Sequence, residues 1–226
     1  MVVNQMTKFG ILLTNTGTPD EPTPSAVRRY LAEFLSDRRI VQLPRLIWLP
    51  ILYGIILVVR PKRSAKLYAE IWTSEGSPMR YLMQRIADKL SSSLNLPVML
   101  GMNYGNPSIK QGLEQLRAAQ VEKIIVLPAY PQFSHTTTSS TYDRVLAATR
   151  HWPTPPHIVK VTSYAAHPAY IQALAHRIQQ TWQESGRPQH LLISFHGIPE
   201  RFVKAGDPYQ TECETTAQLL AAALAL

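Results

Sequence analysis

One histidine stands where an imidazole could do chemistry. His196 follows the apolar segment His190–Ser194 and precedes Gly197 and Pro199, so its ring is expected to project from a strand end that a stiff turn holds. A neutral imidazole can accept a proton near pH 7 or bind a divalent metal ion. On position alone, a structural histidine that caps the strand is an equal alternative.

A second group of side chains could bind a large, flat acid. Arg60, Arg63, Tyr68 and Ser77 follow the uncharged apolar run Leu46–Val59. Arginine binds carboxylates through paired hydrogen bonds, and tyrosine presents a flat apolar face with a polar tip. With the apolar run, these residues would suit an amphipathic acid. The alternative, favoured by residue types alone, is a solvated helix face with ordinary surface arginines.

The apolar run itself has two interpretations. Leu46–Val59 is too short to span a bilayer, and Pro50 and Gly54 interrupt it. It is therefore either a buried or ligand-covering helix, or a flap that rests on a membrane surface beside basic residues. Burial or ligand contact is favoured, because short apolar runs are commoner in protein cores.

The residues after each predicted strand form a third group. In open parallel sheets, ligands bind beyond the carboxyl ends of the strands, and Thr16, Tyr104 and Tyr130 occupy such positions. They are predicted to line a cleft. The sequence contains no GxGxxG after the first strand, and no P-loop, HExxH or GxSxG motif, so the nucleotide-binding and hydrolase mechanisms that need them have no sequence basis.

The elements that must position these groups alternate between strands and helices. This alternation is typical of parallel βαβ units in an open sheet covered on both faces, which predicts an α/β protein. The predicted strands are Gly10–Asn15, Val98–Tyr104, Lys123–Leu127, His157–Val161 and His190–Ser194, and predicted helices begin near Thr23-Pro24, Ser77-Pro78, Pro107, Thr138 and His167.

A proline-rich segment predicts the domain boundary. Trp152–Pro156 contains three prolines in five residues and cannot continue a helix. The predicted first domain is therefore 7–156, and the second is 157–226. The second has only about 70 residues and ends in the apolar helix Gln218–Leu226, so we interpret it as the start of an incomplete domain.

The amino-acid composition excludes several classes of protein. The 226 residues carry a net charge of +8 and are 45% hydrophobic, which excludes a disordered or fibrous chain. Only 17% of the residues are charged, so the positive net charge reflects a scarcity of acidic residues rather than dense runs of Lys and Arg. No nucleic-acid partner is therefore expected. The single cysteine, Cys213, excludes an internal disulfide and fits a reducing compartment. Met1–Phe9 lacks the features of an export signal, so a cytoplasmic location is expected.

Six motifs in order resemble the ferrochelatase family, in its proteobacterial form, from about Phe9 to the end of the chain. They are Gly10–Pro19 (GILLTNTGTP), Phe34–Arg39 (FLSDRR), Gly76–Pro78 (GSP), Tyr130–Ser134 (YPQFS), Ser194–Pro199 (SFHGIP) and Gly206–Tyr209 (GDPY).

The resemblance implies insertion of Fe²⁺ into protoporphyrin IX to give protohaem, a lyase reaction of haem biosynthesis, in a fold of two Rossmann-like domains with parallel sheets. His196 matches the catalytic histidine, as metal ligand or acceptor of pyrrole protons. Arg60, Tyr68 and Ser77 match porphyrin-binding residues by position. Leu46–Val59 corresponds to a lip over the porphyrin, within about 43–78.

Two departures from the family pattern matter. Some members hold an iron–sulfur cluster through a cysteine that His135 replaces here, so no cluster and no permanent cofactor are expected, with Fe²⁺ as substrate. The family also continues for roughly another third of its length, with a glutamate that faces the active-site histidine. We therefore expect a C-terminally truncated ferrochelatase whose activity is in question.

The sequence leaves three alternatives open. The chain could be a chelatase for another divalent metal and tetrapyrrole, because one imidazole discriminates poorly among such metals. It could also be a non-catalytic fragment that binds tetrapyrrole. Peripheral contact with the inner membrane through Leu46–Val59 is the alternative to a purely cytoplasmic location.

Overall fold

The computed structural model describes residues 8–226, so most of the segment Met1–Phe9 lies outside the described residues. The chain forms two compact units. The first comprises the described residues up to Ala129 together with Thr136–Val161, and the second comprises Tyr130–His135 and Thr162–Leu226.

A four-stranded parallel sheet forms the centre of the first unit. Its strands lie in the order β2-β1-β3-β4, and every neighbouring pair is parallel. This arrangement confirms the predicted α/β class. The strands are β1 Phe9–Thr18, β2 Val98–Gly105, β3 Lys123–Pro128 and β4 His157–Lys160.

The helices of the first unit cover the sheet. They are α1 Pro24–Leu35, α2 Arg45–Ile51, α3 Leu57–Ile71, α4 Pro78–Leu94, α5 Ile109–Ala118 and α6 Ser140–Thr149, with π-helical turns at Leu52–Ile56 and His135–Ser139.

Alternating residues of β1 pack on opposite faces of the sheet. Leu12 joins a cluster with residues of α5 and α6, whereas Ile11 and Leu13 join a cluster with residues of α4. Because both faces are covered, β1 is apolar at consecutive positions, which is why its sequence predicts a buried strand.

Local capping signals place the helices as predicted. The Thr23 hydroxyl accepts a hydrogen bond from the Ala26 N–H (3.4 Å), with Pro24 in the first turn of α1. Pro78 likewise lies in the first turn of α4 and follows the N-cap residue Ser77, whose side chain makes no capping hydrogen bond. The predicted starts of both helices are thereby confirmed.

The second unit is helical. It contains α7 Pro168–Ser185, α8 Glu200–Lys204 and α9 Tyr209–Ala223. The strand predicted at His190–Ser194 is wrong, because a strand needs a hydrogen-bonded neighbour and no described strand lies beside it. Leu191 and Ile193 still pack against the cluster of α7 and α9, while Leu192 is 92% exposed, so one face of this segment is covered.

The division between the units differs from the position predicted from the prolines. β4 pairs with β3 along its whole length, so His157–Lys160 completes the first sheet. The structural division therefore falls after Val161 rather than after Pro156. The loop Tyr130–His135 belongs with the second unit because its hydrogen bonds are made there.

Candidate active site

The apolar run lies in a continuous helical segment from Arg45 to Ile71. Four of its residues are buried on one side; the second follows the first by five positions, and each later one follows by four. The π-helical turn accommodates the extra residue and keeps this side against the core. These buried residues are Leu52, Leu57, Pro61 and Ala65.

The opposite side of the same segment, the outer lip face, is apolar and exposed. Leu46 is 91% exposed, and the other members are exposed as well. The predicted burial therefore holds for one face only. The outer lip face consists of Leu46, Ile47, Ile51, Tyr53, Ile55, Val58 and Val59.

Arg60 and Tyr68 lie on α3 in different environments. The Arg60 guanidinium is exposed, as is Arg63. Tyr68 is half-buried and meets the rings of Tyr30 (6.3 Å) and Trp72 (6.5 Å) edge-on. Burial raises the pKa of Tyr68, opposed by a hydrogen bond with Tyr30 and by the charge of Arg60.

Ser77 lies at the carboxyl end of β1, where strand-end reasoning predicts a site. It is 5% exposed, and its hydroxyl donates a hydrogen bond to Thr18 Oγ1 (2.9 Å). Thr16, two residues earlier on β1, is half-buried, and its N–H donates to Asn15 Oδ1 (2.7 Å). The structure thus brings Ser77 to the strand that carries Thr16.

A groove of about 790 Å³ opens beside Ser77. It is lined by charged and amide side chains of α4 and α5, among them Arg80, Arg85 and Gln115. Arg85 pairs with Glu75 (2.7 Å) within it. Sequence reasoning did not identify this groove, because its walls come from elements far apart in the chain.

Tyr104, predicted to line the cleft, lies in the core. It is 1% exposed, and its hydroxyl donates to Asp37 Oδ2 (2.8 Å) and lies 3.2 Å from Ser140 Oγ. The Arg144 guanidinium lies 4.4 Å from the ring centroid. Burial is the main cause of a pKa for Tyr104 well above its ordinary value. Tyr104 therefore lies within β2, one residue before the strand ends, and its side chain faces inward.

Asp37 is the residue at this centre that sequence reasoning missed. Its Oδ2 also accepts from the Ser140 hydroxyl (2.5 Å), and its Oδ1 accepts from the Arg39 N–H (2.7 Å). The motif FLSDRR contains Asp37 and Arg39, so a signal was present, but nothing in the motif names Tyr104 and Ser140 as partners.

The second unit carries His196 and Tyr130. The His196 side chain is exposed, and it follows the segment that packs on α7 and α9. Tyr130 is half-buried at the start of the loop Tyr130–His135. No three His, Cys, Asp or Glu side chains within residues 8–226 lie close enough together to hold a metal ion.

Two acidic residues hold the loop Tyr130–His135, and neither was predicted from the sequence. Glu212 accepts from the Phe133 N–H (2.7 Å). Asp207 accepts from the Ser134 hydroxyl (2.8 Å) and the His135 N–H (2.9 Å). Both acids lie more than 70 residues away in the sequence, in and beside the motif GDPY.

Comparisons with known proteins agree with the family resemblance of the motifs. The family model described as ferrochelatase matches residues 8–226. Ferrochelatase of Vibrio atlanticus is 51% identical over 219 residues, which is 97% of this chain and 68% of that protein. Ferrochelatase 1 of Shewanella oneidensis is 50% identical (96% and 67%), and ferrochelatase of Pectobacterium atrosepticum is 49% identical (97% and 69%).

None of the described helices combines the length and apolar character needed to cross a membrane. The chain spans about two thirds of the length of its relatives. Because the family model covers every described residue and the identity is near 50% across the chain, this protein belongs to the ferrochelatase family.

Proposed function

We propose that this chain is a ferrochelatase, a lyase that inserts Fe²⁺ into protoporphyrin IX to form protohaem. The observation that carries the proposal is the identity of about 50% to proteins named ferrochelatase over 97% of the chain. Protoporphyrin IX and ferrous iron are its substrates, and its place is in haem biosynthesis.

The chemistry assigns a role to His196. Metal insertion must remove two pyrrole protons and strip water from the cation, so it needs a base or a first ligand that is free to reach the substrate. The exposed imidazole of His196 meets that requirement, since its ring is not enclosed by the second unit. We assign His196 as catalytic residue and as the ligand of the incoming iron.

Porphyrin binding falls to residues of the first unit. The exposed Arg60 can bind a propionate through paired hydrogen bonds, and the half-buried Tyr68 on the same helix offers an aromatic ring. Ser77 and Thr16 supply hydroxyl groups at the end of β1, and Tyr130 in the second unit adds an aromatic ring. Tyr104 supports these residues from the core, because its hydroxyl is already bonded to Asp37.

We further propose no resident cofactor. One cysteine, Cys213, is buried, and an iron–sulfur cluster needs about four thiolate ligands.

The outer lip face supports peripheral membrane contact. It presents apolar side chains along one side of a helix, followed by Arg60, Lys62 and Arg63, all exposed. Apolar residues beside cations are the pattern of helices that lie in the interface of anionic membranes. We therefore propose a cytoplasmic protein that rests on the inner membrane through Leu46–Val59.

The second candidate function is tetrapyrrole binding without metal insertion. The observation that favours it is that the chain matches only about 68% of the length of its relatives. A chelatase for a different divalent metal remains a variant of the first candidate, and parallel assays with Zn²⁺ and Co²⁺ distinguish it.

Anaerobic metallation of protoporphyrin IX by the purified chain tests the proposal. Insertion is followed by the loss of porphyrin fluorescence. We expect turnover in the wild type, loss of turnover in His196→Ala, and unchanged turnover in His176→Ala, which removes another exposed imidazole from α7. Porphyrin affinity should be retained in His196→Ala and lowered in Arg60→Ala.

The outcomes separate the candidates. Turnover that survives His196→Ala would overturn the catalytic assignment. Porphyrin binding with no turnover in the wild type would favour the second candidate.

A further inference from the structure

Asp207 is a carboxylate that the second unit buries almost completely. It is 4% exposed. Its Oδ2 accepts the hydrogen bonds from Ser134 and His135 described above, and its Oδ1 accepts from the Tyr209 N–H (3.1 Å). A buried carboxylate is costly unless donors surround it, and these three donors satisfy it.

Asp207 ends a short hydrogen-bonded block that begins just after His196. The Phe202 N–H donates to the Pro199 carbonyl (2.8 Å), and the Asp207 N–H donates to the Phe202 carbonyl (3.0 Å). Phe202 is buried between these two ends. The block therefore comprises Pro199–Asp207, with α8 as its helical part.

The segment before His196 cannot fix the imidazole by itself. Residues 190–195 form no strand, and their backbone groups make no hydrogen bond with the described part of the chain. Its position therefore rests on the packing of Leu191 and Ile193 against α7 and α9. The placement of His196 therefore depends on the block that follows it three residues later.

The loop Tyr130–His135, to which Asp207 binds, is itself held by hydrogen bonds to α9. The Phe133 N–H bonds to Glu212, and the Gln132 amide donates to Thr216 Oγ1 (3.0 Å), both on α9. Asp207 thus joins the block to a loop that α9 fixes.

We propose that Asp207 is a positioning residue for His196, because its carboxylate fastens the block Pro199–Asp207 to the loop Tyr130–His135 and so sets where the imidazole stands. The role deepens the proposed function and rests on it. Asp207 does not touch substrate. It acts through the backbone that carries the histidine.

Asp207→Asn tests this role with little change of shape. The amide replaces one of the two acceptor oxygens by an NH₂ donor. The hydrogen bonds to Ser134 and His135, or the one to the Tyr209 N–H, are therefore lost. We expect kcat for metallation to fall about 10- to 100-fold, the range for changes to residues that orient a ligand. The KM for porphyrin should change less than about twofold, because Arg60, Tyr68, Ser77 and Thr16 belong to the first unit and only Tyr130 lies in the loop that Asp207 holds.

A spectroscopic readout makes the test independent of turnover. In protein labelled with ¹⁵N-histidine, the ring resonance of His196 is assigned by its disappearance in His196→Ala. We expect that resonance to shift or broaden in Asp207→Asn. It should not change in Glu214→Gln, a matched control on α9 whose exposed carboxylate bonds only to Gln210 among the described residues.

The outcomes are distinct. An unchanged His196 resonance in folded Asp207→Asn, or a kcat that follows only the unfolded fraction, would overturn the proposal. If Asp207→Asn does not fold, Ser134→Ala keeps the carboxylate and removes one donor, and an unchanged resonance there would overturn the proposal equally. A shifted resonance together with an inactive wild type would support the positioning role and refute the proposed function.

Discussion

Tyr104→Phe is the sharpest test of how the core of the first unit is built. The change keeps the aromatic ring, so its contacts with Phe34 (5.1 Å between ring centroids) and Arg144 are preserved. It removes the hydroxyl that donates to Asp37 Oδ2. Any loss of stability therefore reports on that hydrogen bond.

The expected cost follows from the partners that Asp37 retains. A hydrogen bond to a charged group contributes roughly 1.5–3 kcal/mol. The Asp37 side chain is 12% exposed, so water replaces the lost donor poorly, but the Ser140 hydroxyl and the Arg39 N–H still bond to it. We therefore expect a loss of about 2 kcal/mol in the free energy of unfolding, or a drop of about 4–8 °C in Tm for a unit of this size.

The pH dependence gives a second, independent signature. The folded pKa of Tyr104 lies above its unfolded value of 10.0, with burial as the largest cause. The folded state therefore keeps a proton that the unfolded state loses, so the stability from this group is complete below pH 10 and falls as the pH rises further. Tyr104→Phe should lose stability less steeply above pH 10 than the wild type.

Urea unfolding followed by circular dichroism at pH 7 and at several values above pH 10 measures both effects. Tyr53→Phe is the control, since Tyr53 is 51% exposed. It should change stability by less than about 0.5 kcal/mol. A cost for Tyr104→Phe within that range, or an alkaline slope equal to that of the wild type, would refute the reasoning.

Two further predictions concern the backbone and the outer lip face. Gly17→Ala should destabilise the chain by about 3 kcal/mol or more, because Gly17 has φ +102° and an added Cβ would overlap the Tyr104 carbonyl oxygen. Gly54→Ala should leave the free energy of unfolding unchanged or raise it by up to about 1 kcal/mol, because no atom lies within 4 Å of the added Cβ. Equal losses of stability for the two glycine variants in urea unfolding would contradict this prediction. Ile47→Glu/Ile55→Glu should abolish sedimentation with anionic vesicles, whereas Leu146→Glu, at an exposed leucine of α6, should retain it. Equal sedimentation of all three proteins would exclude the outer lip face as the contact.

The long lip helix shows where local sequence signals mislead. Pro50 and Gly54 suggest an interruption, yet the backbone stays helical from Arg45 to Ile71. Pro50 lies near the helix start, and the carbonyl it leaves without a donor belongs to Leu46, which is 91% exposed and can be hydrated. Packing of Leu52 and Leu57 against the core then supports the helix on its inner side.

Tyr104 and the segment His190–Ser194 show two properties that local sequence rules cannot predict. These are the direction in which a side chain points and the neighbour with which a strand pairs. The strand predicted at His190–Ser194 is wrong, and Tyr104 lies in the core rather than in a cleft. The direction of the Tyr104 side chain depends on Asp37 and Ser140, and the pairing of residues 190–194 depends on a neighbouring strand. Neither dependence is visible in a window of local sequence.

The sequence by itself determined the α/β alternation of the first unit, the capped starts of α1 and α4, the motif that carries His196, and the family. Each of these depends on residues close together in the chain or on motif order. Only the tertiary structure decided that Tyr104 is buried on Asp37, that the lip has one buried and one exposed face, and that Asp207 and Glu212 hold the loop Tyr130–His135. The hydrogen bonds of Tyr104 to Asp37 and of the loop to Asp207 and Glu212 join residues more than 60 positions apart, and the lip packs on a core that other elements supply. Their energies arise from burial and hydrogen-bond geometry that exist only once the chain has folded.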